Sequence, residues 1–169
     1  MFDSIAGDYD ALNHILSLDV DKIWRKKALK QIIDAPSPVQ VLDLACGTGD
    51  FSIAVAKALT ECHVTGVDLS EGMLAVMREK VDKAGLNDMI SIEEGDGENL
   101  RFPDNTFDRV SIAFGIRNFE DRSKGLKEML RVLKPGGRLV ILELSRPENK
   151  IIRWFYDLYF LHILPKIGG

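Results

Sequence analysis

Val39-Gln40-Val41-Leu42-Asp43-Leu44-Ala45-Cys46-Gly47-Thr48-Gly49-Asp50 is the stretch on which the fold turns. Val39 to Ala45 has the β-branched and apolar content of a buried strand. Gly47-Thr48-Gly49 then makes a tight turn, and Phe51, Val55 and Leu59 recur at helical spacing. A strand that feeds a glycine turn and then a helix is the opening unit of a parallel α/β sheet. Outward from it the alternation continues. His63 to Val67 predicts a second strand, and Ser70 the cap of a helix whose Leu74, Met77 and Val81 share one face and whose exit is Gly85. Ile90 to Glu93 predicts a third strand and, past the turn Pro103-Asp104-Asn105, Asp108 to Phe114 a fourth. Leu126, Met129, Leu130 and Leu133 mark another helix, stopped by Pro135-Gly136-Gly137 before a fifth strand from Arg138 to Glu143. Ahead of the sheet, Met1 to Asp34 predicts two helices separated near Asp19.

The 169 residues, 46% of them hydrophobic, suit a single domain with an ordinary core. Within it, 1–34 reads as a helical cover, 35–145 as the sheet core and 146–169 as an apolar helical segment. Lys plus Arg (22) against Asp plus Glu (26) gives a net charge of -4, which argues against nucleic acid as a partner, because that needs a basic face. Cys46 and Cys62 lack metal-ligand spacing and the three histidines are scattered, so no metal is expected. Both cysteines read as reduced thiols of a cytoplasmic protein. Met1 to Asp10 lacks the basic start and apolar run of a secretory signal. Ile151 to Leu164 is densely apolar and aromatic but shorter than the roughly 20 residues that span a bilayer.

Open parallel sheets bind ligands beyond the carboxyl ends of their strands, where strand order reverses. Gly47 and Gly49 let the backbone pass close under a ligand, and the next helix offers free N–H groups. Alone, the two glycines fit any nucleotide or a plain tight turn. The dinucleotide fingerprint asks for a third small residue, where this chain has Ser52 after bulky Phe51, so a pyrophosphate is disfavoured. Asp68, ending the second strand, can accept both ribose hydroxyls, or cap a helix; its charge also suits a cationic sulfonium ligand. Asp96, in Gly95-Asp96-Gly97, can accept the exocyclic amine of adenine while Gly97 allows close approach. Taken together, these strand ends point to an adenosine without phosphates. After the fourth strand comes Phe114-Gly115-Ile116-Arg117-Asn118-Phe119. There Arg117 can hold a developing phenolate and Asn118 can orient a hydroxyl or water, with a surface salt bridge the competing role for Arg117.

These runs, together with Met1 to Ala6, Tyr9-Asp10, Asn13, Ser17, Trp24-Arg25 and Arg131 to Gly137, resemble the ubiquinone/menaquinone biosynthesis C-methyltransferase family nearly end to end. That family belongs to the class I S-adenosylmethionine-dependent methyltransferases. The glycine loop marks only the superfamily; the Phe-Gly-Ile-Arg-Asn-Phe run and the N-terminal signature are far more specific. The resemblance implies a Rossmann-like three-layer α/β/α sandwich with a mostly parallel sheet, and S-adenosylmethionine as cofactor. It implies cofactor contacts at Thr48, Asp68, Asp96 and Gly97, with the backbone of Gly47 and Gly49 beneath the methionine portion. Asp43, Leu69 and Ala113 join the same cofactor site from the matched runs. Ala113 stands where some relatives carry a Ser, and Cys46 where a Gly is common. The family's length further implies that the last helices and two C-terminal strands are missing here, with part of the acceptor pocket.

Family members methylate a ring carbon of demethylmenaquinol or of a polyprenyl benzoquinol, and demethylmenaquinol is the expected acceptor. A quinol hydroxyl has a pKa of about 10, so a cation beside it is needed to favour the oxyanion at neutral pH. Arg117 fits that need, and roughly 3 kcal/mol of such stabilisation is about a hundredfold in rate. Guanidinium does not readily release a proton, so a water held by Asn118 or Tyr9 is the expected proton acceptor, ahead of His14. The implied partner is a lipid-soluble quinol, met through Ile151 to Leu164 at the periphery of a membrane; a homodimer stays open. The rivals are a nicotinamide-dependent oxidoreductase, a noncatalytic S-adenosylmethionine-binding module and a methyltransferase for another aromatic small molecule.

Overall fold

A computed structural model describes residues 20–143. Tyr9, His14, the first of the two helices expected before the sheet and the apolar run Ile151 to Leu164 therefore lie outside the described residues. Along the chain come α1 (Val20–Ile33), β1 (Val39–Leu44), α2 (Asp50–Ala58), β2 (Cys62–Asp68), α3 (Glu71–Ala84) and β3 (Ile90–Glu94). They are followed by β4 (Phe107–Ala113), a single 3-10 turn (Ile116–Asn118), α4 (Arg122–Val132) and β5 (Leu133–Leu142). The predicted caps form as expected. Ser70 Oγ accepts the Met73 N–H, and Gly85 closes α3 with a left-handed backbone, φ 65°.

The strands form one sheet in the order β3-β2-β1-β4-β5, and every pairing is parallel. Helices cover both faces, which is why the strands read as near-continuous apolar runs. On one face Val39 and Val41 of β1 pack with Ile32 of α1, Val55 of α2 and Met77 of α3. On the other, Leu42 and Leu44 pack with Val110, Ile112 and the Met129 and Val132 of α4. The three-layer α/β/α arrangement expected from the sequence is thus present. The chain runs outward from β1 through β2 to β3, then returns past β1 to β4, so β1 and β4 flank the point where strand order reverses.

Two local expectations are corrected. Leu130 is 59% exposed, because the buried stripe of α4 runs through Gly125, Met129 and Val132, and Leu130 lies off it. Strand pairing also begins before Pro135-Gly136-Gly137, not after. Leu133 pairs with Phe107 and the ladder resumes at Arg138 opposite Arg109, so the Pro-Gly-Gly turn is an excursion within β5.

Candidate active site

The tips of β1 and β2 are joined by one side chain. Asp68 Oδ2 accepts the Gly47 N–H at 2.8 Å and Oδ1 accepts the Ser70 N–H at 2.9 Å. Its own carbonyl accepts the Gly95 N–H, drawing in the tip of β3. Gly49 starts α2 with φ 84°, and a Cβ there would overlap Met77 Cγ, so both backbone and packing demand glycine. The glycine loop is therefore anchored from above by Asp68 and from below by Met77.

Beneath the loop, Asp43 is 1% exposed and its carboxylate accepts Ser52 Oγ–H at 2.6 Å and Ser111 Oγ–H at 2.8 Å. Ser111 stands opposite Asp43 in the β1–β4 register, so the pair spans the point where strand order reverses. Burial pushes the Asp43 carboxyl up to about 6; the two hydroxyls and Arg25 oppose the rise, and the Asp68 charge adds to it. Cys46 is a thiol held well above its usual range by burial and by Asp43 and Asp68, with Sγ 3.5 Å from Met77 Sδ. At the start of α2, Asp50 accepts both Lys80, which also donates to Thr48 Oγ1, and Arg25, whose guanidinium lies over the Phe114 ring.

A cavity of about 430 Å³ opens over the tips of β2 and β3 and the loop after β4, within the roughly 300–1,000 Å³ usual for small-molecule sites. Asp68, Leu69, Asp96, Gly97 and Asn118 of the expected site residues border it. Asp96 Oδ1 accepts the Glu98 N–H, which shapes the turn after β3. Gly47 and Gly49 lie beside this cavity rather than on its wall, and Ala113 is half-buried at the end of β4. Neither Asp43 nor Thr48 borders it; each is buried, at 1% and 3% exposure. Arg117 also stands off the wall, paired with Glu143 at 2.6 Å. Sequence reasoning missed Phe119 and Glu98 on the wall, the serines on Asp43 and the Glu143 partner. Two of these left a signal: Phe119 as the end of the run that starts at Phe114, and Ser111 as a polar residue in the buried Val110-Ser111-Ile112 stretch of β4.

A sheet of this order, with an acidic residue at the tip of β2 and a glycine turn after β1, is the Rossmann-like frame that class I S-adenosylmethionine-dependent methyltransferases share with dinucleotide-binding enzymes, and the comparisons with known proteins place the chain among the methyltransferases. In keeping with this, a solved structure of a SAM dependent methyltransferase from Aquifex aeolicus superposes with a TM-score of 0.65 at 26% identity, covering 85% of this chain and 78% of that one. The chain belongs to the ubiE/COQ5 methyltransferase family, whose model matches residues 1–169. It is 49% identical over 168 residues to a demethylmenaquinone methyltransferase of Bacteroides fragilis, covering 99% of this chain and 68% of that protein. It is 50% identical over 170 residues to the ubiquinone/menaquinone biosynthesis C-methyltransferase UbiE of Geobacter sulfurreducens, covering 100% of this chain and 66% of that protein. The chain thus spans about two thirds of the length of these curated relatives.

Proposed function

We propose that the chain, a single methyltransferase domain, holds the adenosine of S-adenosylmethionine in this cavity. The methyl group goes to a ring carbon of a lipid-soluble quinol, foremost demethylmenaquinol. One observation carries the donor assignment. Asp68, Asp96, Glu98 and Glu120 border the cavity and, among the described residues, no Lys or Arg does. That wall suits a phosphate-free cationic donor and works against the pyrophosphate of a nicotinamide dinucleotide. The Bacteroides and Geobacter relatives, named for demethylmenaquinone methylation and for ubiquinone/menaquinone biosynthesis, support the quinol acceptor, and the second keeps a benzoquinol as the alternative.

When bound, S-adenosylmethionine supplies an electrophilic methyl group. Asp68 is assigned the ribose hydroxyls through the lone pairs that its two backbone bonds leave over, since a carboxylate has about four acceptor sites. Asp96 is assigned the adenine amine. Asp43 serves from beneath the loop that carries Gly47 and Gly49, and Thr48 from within it, where its hydroxyl accepts a hydrogen bond from Lys80. Arg117 is assigned the acceptor's oxyanion, and Asn118 or Tyr9 the water that takes its proton. Ile151 to Leu164, outside the described residues, is assigned the meeting with the lipid-borne acceptor; no described helix is long and apolar enough to cross a membrane.

Incubating the chain with labelled S-adenosylmethionine and a short-tailed demethylmenaquinol tests this reading directly. Label should appear in the quinol, and calorimetry should show S-adenosylhomocysteine binding; tight binding of a nicotinamide dinucleotide in its place would end it. In the same assay Arg117→Ala should lower kcat about tenfold with unchanged affinity for S-adenosylhomocysteine. The effect is set below the hundredfold of a buried oxyanion donor because the Arg117 side chain is 44% exposed and shares its charge with Glu143. A loss of cofactor affinity with kcat intact would refute the role.

A further inference from the structure

Resting on the assignment of this cavity to adenosine, we propose that the ring of Phe119 is the apolar wall against which the adenine lies. Gly97 and Gly125 set where that wall stands. Phe119 follows the 3-10 turn after β4 and borders the cavity. Its ring fills space that two glycines leave open. A Cβ at Gly97 would lie 2.6 Å from Phe119 Cζ, and a Cβ at Gly125 would overlap Cδ2 and Cε2. Gly97 and Gly125 both keep negative-φ backbone, so neither is required by conformation. Gly125 is the more telling, because it sits inside α4, where glycine costs about 1 kcal/mol relative to alanine. The ring accounts for it. With alanine there, the ring must tilt away from α4.

The rest of the wall fits a flat aromatic ligand. Leu69 is 69% exposed, an uncommon degree for a leucine, and borders the same cavity. Asp96 supplies the polar edge that an exocyclic amine needs. Glu98 Oε1 accepts the Asp121 N–H at 3.1 Å and so staples the turn carrying Gly97 to the start of α4, which keeps Phe119 between its two glycines. Phe119 is thus a binding residue, and Gly125 a positioning residue that acts through it.

Calorimetry on the full chain with S-adenosylhomocysteine and with 5′-methylthioadenosine, which lacks the amino-acid end, tests the proposal. Phe119→Leu should weaken both ligands by a similar factor of about ten, the size of one lost aromatic–base contact. Gly125→Ala should do likewise, and the double variant should bind no worse than Phe119→Leu alone, because the displaced ring is then gone. Thermal melts check that each variant is folded; if Gly125→Ala is not, Phe119→Leu decides alone, since leucine keeps the apolar bulk. Wild-type affinity in folded Phe119→Leu overturns the proposal, as does a loss confined to S-adenosylhomocysteine. Failure of the wild-type chain to bind either ligand overturns the adenosine assignment as well, which sets the two failures apart.

Discussion

Asp68→Ala is expected to weaken S-adenosylhomocysteine binding by about a hundredfold in calorimetry, roughly 3 kcal/mol, while the chain stays folded. The loss is large because one carboxylate has two duties. It receives the ligand's ribose in our assignment, and it holds the Gly47 and Ser70 N–H groups that shape the glycine loop and the start of α3. Alanine removes the ribose partner and leaves two backbone donors to water. Asparagine is no better matched. Each carboxylate oxygen accepts a backbone N–H, so the amide NH₂ of Asn must face one of those donors. Asp68→Asn should therefore lose at least about tenfold in affinity despite its equal size. Binding within about a factor of two of wild type in Asp68→Asn would show that the loop does not depend on the charge.

The second large effect concerns stability and pH. In the folded chain Asp43 holds its proton up to about pH 6, against an ordinary value of 3.8. Between those values the folded state binds more protons than the unfolded one, so the stabilisation is complete below the lower value and disappears as pH rises through the higher. A shift from 3.8 to about 6 corresponds to about 3 kcal/mol. Two neutral hydroxyls do not compensate a carboxylate that is 1% exposed. Asp43→Asn cannot ionise, and both serines can rotate to meet its amide. Urea unfolding from about pH 4 to about pH 7 should show wild type losing most of that stabilisation, about 2 kcal/mol, relative to Asp43→Asn. Parallel curves for the two proteins would refute the cost assigned to the buried charge.

What could be read from the chain beforehand was local in character. The strand from Val39, the cap at Ser70 and the glycine exit at Gly85 each depend on a few neighbouring residues and all formed. The strand-tip acids were legible too, because parallel sheets put ligands at strand ends, and Asp68 and Asp96 do border the cavity. What stayed hidden was pairing between distant segments. Ser111 meets Asp43 only through the register of β4 on β1. Glu143 meets Arg117 only because β4 and β5 end side by side. Asp43 and Thr48 looked like ligand contacts by position, yet both are buried, Asp43 beneath the loop against its two serines and Thr48 within the loop against Lys80. Phe119 was visible as part of a motif, but its neighbours Gly97 and Gly125 come from other elements, and only their juxtaposition gives the ring a purpose.

The carboxylate-lined wall has a bearing on how each catalytic cycle ends. The donor carries one positive charge more than the thioether left after transfer, and with the adenosine assigned to this cavity the carboxylates of Asp68, Asp96, Glu98 and Glu120 would favour the more cationic of the two. On our assignment, fresh donor should be held more firmly than spent product, so that turnover would clear its own inhibitor without any moving part. Because that selectivity acts through space, it should fade with added salt, as the screening length shrinks to about 8 Å near 0.15 M. Product inhibition should accordingly deepen as ionic strength rises.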